Sequence, residues 1–299
     1  MKYFKILVLI SLVVIGFSCN DKSPKEAADK GFSFVLANDV HLLPEKNAPE
    51  GFAQAIDSVN ALNPDFVIVG GDLINDALAV SHSEADSLYT MYLDLEKRFN
   101  TPVYNVVGNH DLYGLYAKSG ANPNHPDYGK KMFENRISKS YYTFEHKEWQ
   151  FFVLNSVSES EPGRYFGEID RAQMQWIADE LKSIDKHRPI MLVSHIPFIT
   201  AYSQRYLNST KGNDSSLVTI NSKEVLALFE AHNLKAVLQG HLHIVEEIEI
   251  DGLRFITGGA VCGRWWTGPN KGYEEGFVKL NLTADDFTWE YTDYGWEAE

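Results

Sequence analysis

Apolar residues fall along this chain in short runs that alternate with helical spacing. Phe32 to Ala37, Phe66 to Val69, Val103 to Val107, Phe151 to Leu154, Ile190 to Val193 and Ala236 to Leu238 are short, partly β-branched runs ended by polar residues or glycine. Such runs mark buried strands. Between them, Gly51 to Leu62 and Glu84 to Phe99 have helical spacing. Asp170 to Ile184 opens with a capping-box pair, Asp170 and Gln173, ahead of Met174, Ile177, Leu181 and Ile184. Asn221 with Glu224 opens a further helix ahead of Val225, Leu226 and Phe229. This alternation predicts an α/β domain with largely parallel strands. Toward the C-terminus Ile244 to Ile250, Leu253 to Thr257, Phe277 to Leu282 and Phe287 to Tyr291 are strand-like, with Asp251-Gly252 as a tight hairpin turn. The last third is therefore expected to be a meander. Residues 114–126 are the longest loop candidate, and no repeat or Pro/Gly/Ser-rich boundary divides residues 31–299, which are expected to form one domain.

The N-terminus changes the picture. Lys2 and Lys5 precede an apolar run, Ile6 to Ser18, then Cys19 and a polar stretch to Lys30. The run is shorter than the roughly 20 apolar residues a membrane span needs, so residues 1–18 read as a cleaved export signal and 19–30 as a tether. Ile15 to Cys19 resembles the lipobox of bacterial lipoproteins, which implies lipid attachment at Cys19 and an exported protein anchored to a membrane, facing the periplasm or the cell exterior. A plain secretory signal with Cys19 incidental is the alternative. Cys262 is the only other cysteine, so acylation of Cys19 leaves no internal disulfide.

Apolar residues make up 44% of the chain, enough for a sizeable core. The formal net charge is -14; without Lys2 and Lys5 the 25 remaining basic residues face 41 acidic ones, giving -16. Such a surface repels long nucleic acid, whereas bound cations can still hold a small phosphorylated substrate.

Five polar clusters each follow a predicted strand: Asp39-Val40-His41, Gly71-Asp72, Gly108-Asn109-His110-Asp111, Ser194-His195 and Gly240-His241-Leu242-His243. The carboxyl ends of parallel strands are where ligand sites assemble in open α/β sheets. Imidazole nitrogen and carboxylate oxygen suit zinc, manganese and iron. The i, i+2 spacing in Asp39/His41 and His241/His243 would turn both side chains to one side of an extended backbone. The glycines before Asp72, Asn109 and His241 permit close backbone approach.

In these residues the chain resembles the calcineurin-like metallophosphoesterase family, whose pattern is D-x-H, G-D, G-N-H-D/E, H and G-H-x-H. The match runs from Asp39 to His243. The resemblance implies a four-layer α/β/β/α sandwich of two packed mixed sheets, with a dinuclear metal site at the strand ends. It also implies a metal-dependent hydrolase of phosphate esters, acting on monoesters or diesters. Asp39, His41 and His243 would hold one ion, Asn109, His195 and His241 the other, and Asp72 would bridge them. Two manganese, iron or zinc ions about 3.5 to 4 Å apart would activate a water as hydroxide for in-line attack. His110 would serve as general acid, with Asp111 as its orienter or else as a loop cap. Purple acid phosphatases carry a metal-binding Tyr where this chain has Asn75, so a tyrosinate-coloured iron site is not expected. Asn75, Arg264 and Trp265 are candidate substrate contacts, Arg264 for a phosphate oxygen and Trp265 for stacking on an apolar or cyclic group, with ordinary surface packing as the alternative. A nuclease and a catalytically silent scaffold of the same fold are the competing functions.

Overall fold

In the first strand, β1 (Phe32–Ala37), Phe34 and Leu36 enter one apolar layer and Val35 and Ala37 another, and all four are buried. A strand with two covered faces lies in the middle of a layered structure. The computed structural model describes residues 31–160 and 163–298, so the expected leader, Cys19 and the tether lie outside the described residues.

Three parallel strands, β1, β2 (Phe66–Val69) and β3 (Val103–Asn105), are linked by α1 (Ala48–Leu62) and α2 (His82–Glu96). After α3 (Lys131–Arg136) come β4 (Tyr142–His146), β5 (Trp149–Leu154) and a small hairpin of β6 (Val157–Ser160) and β7 (Arg164–Gly167). Then follow α4 (Arg171–Glu180), β8 (Pro189–Ser194), α5 (Tyr202–Leu207), α6 (Ser222–Leu228) and β9 (Asn233–Gln239). The described chain ends with β10 (Val245–Ile250), β11 (Leu253–Gly258), β12 (Gly276–Leu282) and β13 (Phe287–Asp293).

The strands form two mixed sheets, ordered β13-β12-β1-β2-β3 and β10-β11-β9-β8-β5-β4. Between them lies a layer that includes Phe34, Leu36, Phe66, Ile68, Phe151, Val153, Met191, Val193 and Leu238, with Phe34 and Phe66 stacked at 4.7 Å and Phe151 edge-on to both. The opposite faces carry α1 and α2 on the first sheet and α4 and α6 on the second. This is the four-layer α/β/β/α sandwich. Among the described residues no helix is long and apolar enough to cross a membrane.

Several local expectations are corrected. The C-terminal strands form two hairpins in different sheets rather than one meander, because β11 pairs with β9 and β12 with β1. The second helix starts at His82, where the Ser81 hydroxyl accepts from Glu84 N, and ends at Glu96. Asp170 caps Gln173 N, but the Gln173 amide turns inward and bonds both N and O of Asn155, so the reciprocal half of the capping box is absent. Asn221 likewise spends its side chain on N and O of Ile169 instead of capping α6. The Asp251-Gly252 turn is as expected, with both residues left-handed (φ 52 and 82).

Candidate metal centre

Both sheets send the carboxyl ends of parallel strands to one crevice. Asp39 and His41 follow β1, Asp72 follows β2, Asn109 lies beyond β3, His195 follows β8, and His241 and His243 follow β9. The expected extended backbone at the paired positions is not found. Asp39 (φ 54), His41 (φ 44), Asp72 (φ 51), His241 (φ 70) and His243 (φ 50) are all left-handed. Non-glycine residues in that region cost about 1–3 kcal/mol each and persist only where their surroundings fix them. Here the exits of β1 and β2 are laced together by Asp39 N→Gly71 O (3.1 Å), His41 N→Asp72 O (2.8 Å) and Leu42 N→Leu73 O (3.1 Å). Glycine serves close approach at two points: a Cβ on Gly71 would lie 2.4 Å from His195 Nδ1, and one on Gly108 2.2 Å from Asp72 N.

The seven side chains converge in two groups. His41 Nε2 lies 3.1 Å from His243 Nε2, and Asp39 Oδ1 lies 3.4 Å from His243 Nε2. In the other group His195 Nε2 lies 3.2 Å from Asn109 Oδ1, and one atom each of Asp72, His195 and His241 fall within 4.8 Å of one another. Asp72 Oδ2 stands between the groups, 3.4 Å from His41 Nε2 and 3.2 Å from His195 Nε2. Its other oxygen accepts from His110 N at 2.7 Å.

Backbone carbonyls fix which nitrogen of three histidines faces the centre. A carbonyl only accepts, so the nitrogen bonded to it must carry the proton. His195 Nδ1 bonds Gly70 O (2.9 Å), His243 Nδ1 bonds Gly263 O (2.6 Å) and His241 Nε2 bonds Ser216 O (2.9 Å). The remaining nitrogens, His195 Nε2, His243 Nε2 and His241 Nδ1, are free to present lone pairs, the arrangement metal-ligating histidines adopt. His241 Nδ1 is buried without a partner. Such a set, with two carboxylates and an amide oxygen, fits borderline divalent ions.

Electrostatics agree with that fit. Burial lowers the pKa of His41 well below its ordinary value and that of His241 to about 4, keeping both neutral. At His195 burial also works against charge, but the Asp72 carboxylate outweighs it and raises the pKa to about 9, so a proton occupies the place a cation would take. Burial opposes the charge of Asp72 as well, yet His195 and His110 hold its carboxyl well below the usual range.

Beside the cluster opens a cavity of about 230 Å³, lined by His41, Asp72, His110, His241 and His243 together with Tyr165, Tyr202, Trp265, Asn270 and Lys271. His110 packs edge-on against His41, ring centres 4.7 Å apart, and its Nδ1 has no partner. Asp111 does not orient it. Its carboxylate is fully buried and accepts from Leu73 N (2.9 Å), Ile74 N (3.4 Å) and Gly108 N (2.8 Å), clamping the β2 and β3 exits together. Burial and the charge of Asp72 push its pKa up to about 8.

Of the expected substrate contacts, only Trp265 reaches the cavity; it is 41% exposed, with its ring 4.7 Å from that of His243 and 5.6 Å from that of His41. Trp266 is buried instead, and its Nε1 donates to Val40 O and His41 O. Arg264 turns away, its Nε directed at Thr267 Oγ1, and Asn75 is held by its backbone to Leu42 O; neither lines the cavity. Of the tyrosines between Ala201 and Tyr206, for which the sequence leaves pocket lining and loop packing both open, Tyr202 lines the cavity. Sequence reasoning missed Tyr165 and Lys271, which lie outside any strand-end motif, and the carbonyls of Gly70, Ser216 and Gly263, which no side-chain identity announces.

Known proteins are similar to this chain in sequence and in fold. The calcineurin-like phosphoesterase family model matches residues 32–245. The 3′,5′-cyclic adenosine monophosphate phosphodiesterase of Haemophilus influenzae is 26% identical over 220 residues, covering 72% of this chain and 69% of that protein. Among solved structures, a dimetal phosphatase from Danio rerio superposes with a TM-score of 0.62 at 16% identity, covering 89% of this chain and 98% of that one. A purple acid phosphatase from yellow lupin seeds does so at 0.56 and 15%, covering 89% and 52%.

Proposed function

The chain belongs to the calcineurin-like phosphoesterase family and is a phosphoric ester hydrolase, and from that premise we propose that it cleaves a small phosphodiester, of the cyclic-nucleotide class, with two divalent ions. Asp39, His41 and His243 would hold one ion, Asn109, His195 and His241 the other, with Asp72 between them. What such ions supply when bound is neutralisation of phosphate charge and activation of a water for in-line attack.

The protein's own groups do the rest. The gathered carbonyls keep the histidine lone pairs aimed inward before any ligand arrives, so little reorganisation is left for the reaction. His110, which lines the cavity, delivers a proton to the leaving ester oxygen. Trp265 carries the substrate reading: an exposed planar ring beside the His41 and His243 rings is a platform for a planar ester group. The cyclic-nucleotide relative supports the same class.

The test is hydrolysis of cyclic AMP, bis-p-nitrophenyl phosphate and p-nitrophenyl phosphate by the full chain with manganese, zinc or iron added, and Asn109→Ala as control. Diester cleavage faster than monoester cleavage, abolished in the variant, is expected. Monoester preference would make it a phosphatase, and absence of turnover with every metal would sink the catalytic reading.

A further inference from the structure

Residues 270–273 make a tight turn at the rim of the cavity. Asn270 and Tyr273 exchange both backbone hydrogen bonds at 2.9 Å, and the residues between them are left-handed, Lys271 at φ 52 and Gly272 at φ 88. Two left-handed central residues define a type I′ turn, which favours asparagine, aspartate or glycine at its first central position. Lysine there is not what the backbone asks for.

The location of the turn accounts for the lysine better than its conformation does. Asn270 is buried and its Nδ2 donates to His243 O at 2.8 Å, which ties the turn to the loop bearing His243. Lys271 in consequence lines the same cavity as His41, Asp72 and His110, and it is the one Lys or Arg among the residues that do so. Its ammonium rests over the ring faces of Tyr202 and Tyr206, 5.1 and 5.2 Å from their centres. Although 41 acidic residues face 27 basic ones in this chain, Lys271 enters none of the ion pairs formed by lysine or arginine among the described residues. A cation held only by aromatic faces is weakly engaged and exchanges that contact readily for an anionic oxygen.

We propose that Lys271 is a substrate-binding residue whose ammonium moves from the tyrosine faces to a phosphate oxygen of the substrate, helping to draw an anion to the cavity of an acidic protein. The proposal rests on the reading of the cavity as a phosphoester site. The phosphate carries its charge both before and during reaction, so the contact strengthens substrate and transition state alike and acts on KM rather than kcat.

The test uses the full chain loaded with manganese, in two measurements: inorganic phosphate binding by calorimetry, and steady-state cleavage of bis-p-nitrophenyl phosphate. Lys271→Asn removes the charge while giving the turn the Asn-Gly pair it prefers, so misfolding is not the expected outcome. Lys271→Arg keeps the charge. Lys271→Asn is expected to weaken phosphate binding about tenfold and raise KM by a similar factor, with kcat within about twofold and a shallower dependence of KM on salt. Lys271→Arg is expected to stay within about threefold of the parent. Absence of phosphate binding by the parent, equal affinity in parent and Lys271→Asn, or loss confined to kcat would each overturn the assignment. A tenfold loss of phosphate binding without diester turnover by the parent would keep Lys271 in its role and remove only the diesterase reading.

Discussion

His82, His125 and Asp127 bring ligand-type atoms within 4.8 Å of one another, just as Asp72, His195 and His241 do at the strand ends. In residue type the two clusters are the same, two imidazoles and a carboxylate. The first is half-exposed and closed on itself: His82 Nε2 bonds Asp127 Oδ2 (2.7 Å), Asn135 donates to Asp127 Oδ1 (2.8 Å), and His125 Nδ1 accepts from Asp127 N (3.1 Å). In the second, carbonyls take up one side of each histidine, and the nitrogens left over meet in a buried centre around Asp72. What separates a knot of hydrogen bonds from a cation site is therefore the surplus of inward lone pairs rather than the inventory of residues.

The sharpest way to break this comparison is to delete one carboxylate from the buried cluster and one imidazole from the exposed one. Asp72→Ala is expected to lower phosphoester turnover on the order of 10³-fold and to reduce the bound metal measured by elemental analysis. His82→Ala, being remote from the centre, is expected to leave both within about twofold. Equal losses in the two variants would erase the distinction.

A smaller effect probes what supports the buried cluster. Asp111→Ala strands the N–H groups of Leu73, Ile74 and Gly108 and is expected to reduce unfolding free energy by about 3 kcal/mol in urea titrations. If stability held and only turnover fell, Asp111 would be a participant in the chemistry rather than a clamp.

The smallest effect belongs to the exposed cluster and depends on pH. The hydrogen bond from His82, helped by that from Asn135, holds the Asp127 carboxyl below the usual range. A depressed folded pKa gives stability that is complete above the unfolded value near 4 and is lost as pH falls through the folded one. Since the Asp127 side chain is still partly exposed, the stability gap between the parent and Asp127→Asn is expected to be no more than about 0.5 kcal/mol at neutral pH and to close as pH falls through the folded pKa. A gap that widened with acid would reverse the sign of the argument.

The strands and the metal-type side chains were legible in the sequence for one physical reason. A strand buried on both faces is an unbroken apolar run, so the polar residues that end it stand out, as Asp39 does after Ala37 and His195 after Ser194. Left-handed backbone at Asp39 and His41 was not legible, because Asp and His, although enriched in that region, enter it too seldom to mark a position on their own, unlike the Asp-Gly pair at 251–252. Asp111 was ambiguous for a different reason: its role is set by which N–H groups face it across 38 residues of sequence, as in its bond from Leu73. The tryptophan pair was half legible; adjacent rings cannot both face a cavity, and only folding decides that Trp266 is the one buried. The pairing of the C-terminal hairpins with two different sheets was hidden because alternation specifies a strand and not its neighbours.

One pairing of the first sheet bears on how the chain is made. Strand β1 has β2 on one side, soon after it in sequence, but on the other side it pairs with β12, with Phe32 opposite Leu282. A polypeptide leaving the ribosome thus exposes one bare edge of β1 through most of its synthesis, until residues 276–282 emerge to cover it.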